Sequence, residues 1–189
     1  LNENGAKTFT VSASDGELSS AVTTVTMTLA AVNDAPTISA ISNQTTLEDT
    51  ATGAIAFTVG DVETAGAALT VTASSSNTGL VAAGGIALGG SGASRTITLT
   101  PVANANGTST ITVTVNDGAL TTTTTFVLTV SAVNDPPTLN PIPNLNTNED
   151  SGPLTVQLTG ISAGPNETQP LVVNATSSNP SLIPDPIVT

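Results

Sequence analysis

Apolar and polar residues alternate with a period of two through much of the chain. Ile55, Phe57 and Val59 share one face of such a run, as do Ile111, Val113 and Val115, and again Phe126, Leu128 and Val130. A two-residue period belongs to a β-strand with one buried face, so these nine side chains are predicted to form a core. Runs of β-branched residues bounded by turn formers place seven strands, A to G, at residues 37–41, 54–59, 69–73, 86–88, 96–100, 110–116 and 122–130. The prediction is all-β, a seven-stranded antiparallel sandwich. Asp117-Gly118 between F and G is a hairpin signal, and the glycine-rich stretch at residues 83–93 is predicted to be a mobile D–E connection. It lacks the Lys and the following helix of a phosphate-binding loop.

The pattern repeats. Residues 32–50 read VNDAPTISAISNQTTLEDT and residues 133–151 read VNDPPTLNPIPNLNTNEDS, aligned without gaps at an offset of 101. At an offset of 102, Asn2-Glu3-Asn4-Gly5 parallels Asn104-Ala105-Asn106-Gly107, and Asp15-Gly16 parallels Asp117-Gly118. Ser75-Ser76-Asn77 recurs as Ser177-Ser178-Asn179. A unit of about a hundred residues suits one sandwich domain. The chain therefore divides into the last strands (F and G) of one repeat at 1–32, a complete repeat at 33–133, and the first strands (A to D) of a third at 134–189. Unpaired edges in the two partial repeats predict intermolecular pairing or disorder there.

Composition narrows the chemistry. The 189 residues carry 14 acidic and 2 basic side chains, a formal charge of −12, and no His, Cys, Trp or Tyr. Without imidazole or thiolate there is no Ser-His-Asp or Cys-His nucleophile and no His- or Cys-built transition-metal site. Lys7 and Arg95 are the only cations, too few to hold a phosphate backbone, so nucleic acid is excluded as a partner. Charged residues are only 8% of the chain and 36 are Thr, which favours folded strands over an acidic disordered tail. No run of 18 apolar residues is present, so direct membrane insertion of this segment is not expected.

Placed on the sandwich, the acids are not scattered. Antiparallel connection puts the B–C and F–G loops at one end, where Asp61, Glu63 and Asp117 meet the entering linker Asn33-Asp34. The opposite end carries Glu48 and Asp49 of the A–B connection with Asn104 and Asn106 of the E–F loop, beside the leaving linker Asn134-Asp135. Glu167 of the third repeat faces the same joint, and Ser162 stands where Asp61 stands in the complete repeat. Two carboxylates about 5 Å apart repel by roughly 3 kcal/mol at an effective dielectric of 20. The chain has almost no basic groups to offset this, whereas calcium takes carboxylate and amide oxygens in a flexible shell. Asn33, Asp34, Asp61, Glu63 and Asp117 at the first joint, and Glu48, Asn134, Asp135 and Glu167 at the second, are therefore the expected metal ligands, with Ca2+ as the cofactor. No catalytic residues are assigned. Isolated Asp-Gly and Asn-Asp pairs also favour turns on their own account, through side-chain-to-backbone hydrogen bonds.

These motifs, VNDAPT and VNDPPT at the junctions, NENG and NANG before strand F, SDG and NDG after it, and LEDT and NEDS after strand A, resemble the bacterial cadherin-like repeats called tandem-95 repeats. The resemblance covers the whole chain. It implies an Ig- or cadherin-like sandwich in a large secreted or cell-surface protein, many members being adhesins. Similarity to cadherins implies calcium at the joints, with the B–C acid pair carried onto Asp61 and Glu63, the F–G acid onto Asp117 and the acid after strand A onto Glu48. The linker lacks the first Asp and last Asn of the cadherin D-x-N-D-N-x-P pattern, which implies one or two ions per joint, not three. The expected function is an extracellular calcium-stiffened spacer whose partners are neighbouring repeats and a distal cell-surface or glycan target. The alternative is a carbohydrate- or surface-binding adhesive module, which the prediction of Phe9, Phe57 and Phe126 as inward-facing disfavours, since sugars stack on exposed rings. Paired carboxylates such as Asp61 and Glu63 also recur in glycoside hydrolysis, but their place at a joint argues against an enzyme.

Overall fold

A computed structural model describes residues 3–189, so Leu1 and Asn2, the first residue of the NENG motif, lie outside the described residues. Strands β1 (Gly5–Val11) and β2 (Thr23–Leu29) form an antiparallel ribbon, with Phe9 opposite Val25. Ten strands are present among the described residues, and the other eight belong to one sandwich: β3 (Thr37–Ile38), β4 (Gln44–Leu47), β5 (Ile55–Gly60), β6 (Thr70–Ser75), β7 (Ile86–Ser91), β8 (Ser94–Leu99), β9 (Gly107–Asn116) and β10 (Thr121–Ser131). One sheet runs β3-β5-β8-β7 and the other β4-β10-β9-β6. The all-β sandwich read from alternation is therefore present.

Its core matches the period-two reading closely. Phe57, Val59, Ile111, Val113, Val115, Phe126, Leu128 and Val130 are buried, and Ile55 is half-buried against them. Ile97, Leu99, Leu69, Leu80, Val81 and Ile41 complete the layer between the sheets. Ser109 is the one inward polar residue of β9. Its hydroxyl pairs with Ser75 Oγ at 2.7 Å and accepts from the Asn77 amide at 3.2 Å, so its burial is hydrogen-bonded and tethers the end of β6.

Strand A departs from expectation. The single strand at 37–41 is two short ones in different sheets, giving eight strands, and β4 pairs parallel to β10 in an otherwise antiparallel sandwich. The crossover has local causes. Ser39 Oγ accepts the Thr58 amide at 3.0 Å, ending the β3–β5 ladder with a side chain. Ile41 then turns into the core, and Asn43 Oδ1 accepts the Val127 amide at 2.9 Å, delivering the chain to β10.

The glycine-rich stretch is also a correction. Most of it is strand β7, joined to β8 by a tight turn. Gly90, at φ +83°, lies so near β8 that a Cβ there would come within 2.4 Å of the Ser94 carbonyl. Glycine here serves close strand approach, not mobility.

The flanking segments are less complete. Phe9 is 49% exposed because no second sheet covers the β1–β2 ribbon among the described residues, which corrects its inward assignment. Residues 134–189 hold an isolated bridge between Thr138 and Ser162 and no strand of the A-to-D set. In the complete repeat β4 pairs with β10 and β6 with β9, and this segment contains no counterpart of β9 or β10. Its turns nevertheless copy the repeat. Thr37 Oγ1 donates to the Gly60 carbonyl at 3.0 Å and Thr138 Oγ1 to the Gly160 carbonyl at 2.9 Å. Asn77 and Asn179 amides each donate to the Ser two residues earlier at 3.2 Å.

Candidate functional site

The Val-Asn-Asp-x-Pro segments, one entering the sandwich before β3 and one leaving it after β10, belong to no strand, so their polar groups find partners in the loops they pass. At the first joint Pro36 is buried at the rim of the core and anchors the linker. The Asn33 amide donates to Asp117 Oδ2 at 2.8 Å, and the Asp34 backbone N–H donates to Glu63 Oε2 at 3.1 Å. The carboxylates of Asp117 and Asp61 are themselves fixed by short turns. Asp117 Oδ1 accepts from Ala119 and Leu120 at 2.6 and 2.7 Å. Asp61 Oδ1 accepts from Glu63 and Thr64 at 3.1 and 2.6 Å, while Asp61 Oδ2 is buried with no hydrogen-bond partner. All five residues named at this joint by sequence are thus linked through the linker and the two loops.

The second joint repeats the scheme with changes. The Asp135 N–H donates to Glu167 Oε1 at 2.6 Å, as Asp34 does to Glu63, although the loop carrying Glu167 is three residues longer. Ser162 Oγ accepts the Gly164 amide at 3.3 Å, taking the turn-closing part that Asp61 plays above. Glu48 is only 6% exposed and accepts the Val133 N–H. Asp135 Oδ2 is buried without a partner. Four residues that the sequence reading did not assign as ligands complete the contact. Gln169 Nε2 donates to Asn134 Oδ1 at 2.9 Å and to Glu167 Oε2. Asn166 Nδ2 donates across the joint to the Asn104 carbonyl at 2.5 Å, and the Asn104 amide donates to Asp49 Oδ1 at 2.9 Å. Asp49, Asn104 and Asn166 are all left-handed, at φ +59°, +56° and +57°. Asp and Asn tolerate that conformation best among residues with a Cβ, the one signal by which Asn166 was findable in sequence.

Neither joint is neutralised by the protein. Lys7 pairs with Glu3 at 3.6 Å on the open surface of the ribbon, and the Arg95 guanidinium donates to the Gly66 and Leu69 carbonyls. Among the described residues no three carboxylates are drawn close enough to hold an ion by themselves, so the expected cluster of three or four is instead a set of pairs threaded by linker amides. The donor set is all oxygen: carboxylates, Asn side chains and backbone carbonyls. Such a set, with an orphaned buried carboxylate oxygen at each joint, fits a hard, oxygen-preferring divalent cation and not a thiolate- or imidazole-bound metal.

The carboxylates differ in their titration. The N–H groups of Leu120 and Ala119, then the Asn33 amide, hold Asp117 below the usual carboxylate range. Leu18 and Glu17 do the same for Asp15 at the equivalent turn of the ribbon. Asp135 is raised, first by burial of its carboxyl and then by Glu48, Glu167 and Asp49. The two kinds have opposite linkage. Asp117 contributes stability that is complete above the unfolded value of about 3.9 and lost as pH falls through its lower folded value. The Asp135 contribution is present below about 3.9 and lost as pH rises through its higher folded value, so ionisation there strains the second joint. Carboxyl-carbon NMR in chelator is expected to show Asp135 titrating at higher pH than Asp117; coincident or reversed titration contradicts this account.

Residues 33–130 match the family described as Bacterial Ig domain, about half of the chain and nearly the whole eight-stranded sandwich. No curated protein matches the chain. Among solved structures, an endo-fucoidan hydrolase of glycoside hydrolase family 107 is 24% identical with a TM-score of 0.39, covering 70% of this chain and 19% of that one. Titin domains Z1Z2 in complex with telethonin are 18% identical with a TM-score of 0.41, over 57% and 53% of the two chains. Domains 1–6 of the surface layer protein SbsC are 18% identical with a TM-score of 0.38, over 72% and 18%. The chain thus spans about a fifth of the hydrolase and about half of the titin pair. With these three scores below 0.5, the family assignment rests on the match over residues 33–130.

Proposed function

The chain belongs to the bacterial Ig domain family, and from that premise we propose that it is an extracellular structural spacer of a large bacterial adhesin-like surface protein whose interdomain joints are stiffened by calcium. Bacterial Ig domains are typically non-enzymatic, and no helix among the described residues is long and apolar enough to cross a membrane. The observation that carries the calcium reading is the pair of orphaned buried oxygens, Asp61 Oδ2 and Asp135 Oδ2, one at each joint, where no protein cation reaches them. A buried carboxylate oxygen without a partner carries a desolvation cost. Calcium, when bound, supplies the positive charge and accepts an irregular shell of oxygens.

The chain's own residues do the positioning. Asn33 and Asp34 are held over the loops by Asp117 and Glu63, and Asp61 is fixed by its turn with one oxygen left over. At the second joint Asn134, Asp135 and Glu167 take the parts of Asn33, Asp34 and Glu63, Glu48 holds the Val133 N–H, and Gln169 orients Asn134 and Glu167. In the absence of cation, repulsion among these groups favours a mobile joint; charge compensation favours one angle. The partners are the neighbouring repeats, and a distal module would contact a cell-surface or glycan target. A carbohydrate- or surface-binding module is the second reading, and half-exposed Phe9 is what favours it. One ring on a two-stranded ribbon offers a single stacking position, against 4% and 2% exposure for Phe57 and Phe126.

Calorimetric titration with calcium tests the reading. Saturable binding is expected at about 10⁻⁴–10⁻³ M, the range of extracellular calcium modules. Absence of binding in that range, with the chain folded, rejects it.

A further inference from the structure

The two flanks of the sandwich are not alike. On one side the A strand crosses from sheet to sheet through β3 and β4 and covers the gap between them. On the other, β7 and β6 are the free edges of their sheets, and the flank between them opens into a cavity of about 110 Å³. Its lining is Phe57, Val71, Leu88, Gly89, Gly90 and Arg95. Gly90 matters to this shape. A side chain at 90, opposite Arg95, would collide with the backbone of Ser94 and Arg95, so β7 has none there and the cavity stays open above Arg95.

Two features of this flank ask for a partner. β7 reads IALGGS, with no charge and no proline, and Leu88 is 40% exposed on it. Natural edge strands are usually blunted by Lys, Pro or a covering element, and β7 has none of these. Arg95, the only basic residue of the eight-stranded sandwich, has its Nη2 on the Gly66 and Leu69 carbonyls, while its Nε is buried without an acceptor. No carboxylate among the described residues pairs with it. A buried guanidinium N–H without an acceptor is costly, and a carboxylate is the group that best satisfies it.

We propose that this flank is a docking edge for an extended acidic peptide, whose backbone adds to β7 and whose inward side chain brings a carboxylate to Arg95 Nε. Strand addition supplies the geometry. Side chains of an added strand alternate, so every second residue beside β7 points into the gap between the sheets, where the cavity lies. The backbone pairing gives affinity, and the pocket with its single cationic donor gives preference for Glu or Asp at one position. The chain's charge of −12 opposes an acidic ligand at long range, but at physiological salt that repulsion is screened beyond about 8 Å while the contact inside the flank is not.

The test uses the ¹⁵N-labelled chain at physiological ionic strength and two synthetic peptides, acetyl-Thr-Val-Glu-Val-Thr-amide and its Gln counterpart. The Glu peptide is expected to shift the amides of 86–91 and the Arg95 Nε–H resonance together, and the Gln peptide to bind about tenfold or more weakly. Arg95→Gln should remove the difference between the peptides. Should that variant fail to fold by circular dichroism, the comparison of the two peptides on the unmodified chain still decides. Equal affinity for both peptides, or shifts that avoid β7, overturns the proposal. Concentration-dependent shifts of 86–91 without peptide would make a second copy of the chain the occupant, and would overturn it equally.

Discussion

Truncating Phe126 to Ala is expected to lower the unfolding free energy of the eight-stranded sandwich by about 3–5 kcal/mol. Phe126 is 2% exposed at the centre of β10, between the edge contributed by β4 and the long β9, and it packs in the same layer as Ile111, Leu128 and Ile97. Removing the ring leaves a cavity lined in part by β-branched Ile111 and Ile97, whose χ1 freedom is small, so little collapse can fill it. A domain of this size has a total stability of about 5–15 kcal/mol, which makes the loss a large share. The matched control is Phe9→Ala on the half-exposed ribbon, expected to leave the main transition within about 0.5 kcal/mol. Urea titration followed by far-ultraviolet circular dichroism reads both, since the chain has no Trp or Tyr to report by fluorescence. Equal effects of the two substitutions would mean that the core does not lie where the alternation places it.

The second large effect concerns the joints. Replacing Asp61 by Asn together with Glu63 by Gln keeps the oxygens that accept the Thr64 and Asp34 N–H groups, so the loop and linker retain their hydrogen bonds. Only charge is removed. Calcium affinity at the first joint is expected to fall about tenfold or more, because ligand charge sets affinity in oxygen sites. At calcium a hundred times the dissociation constant, the unmodified chain should gain about 2.7 kcal/mol per site over its value in chelator, and the double variant should lose the gain at that joint. In chelator the two proteins should differ little. A variant that binds calcium as well as the original would remove Asp61 and Glu63 from the ligand set.

How much of this was readable beforehand depends on what each feature rests on. The core was legible because burial on one face imposes a period of two, and eight of the nine residues picked on that basis are buried, from Phe57 to Val130. The split of strand A was not, because it turns on Ser39 and Asn43 meeting backbone groups of strands far along the chain. Composition also misled at 86–91, where glycines read as looseness serve close approach to β8. The joints were legible through the repeat. Two VND linkers facing acids in two loops showed which residues share an end, and the Asp34–Glu63 and Asp135–Glu167 contacts are the same bond made across loops of different length. Asn166 stayed hidden because it lies in the lengthened stretch before Glu167, and Gln169 because it stands where the complete repeat has Ala65, which offers no polar side chain to compare with.

The central claim is that a cation completes the joints and sets their angle. Small-angle X-ray scattering of the chain in calcium and in chelator, with magnesium as a control, tests it most directly. The account predicts a longer maximum dimension and reduced flexibility in calcium, with magnesium falling short because it resists irregular oxygen shells. Superimposable scattering in calcium and chelator would contradict it.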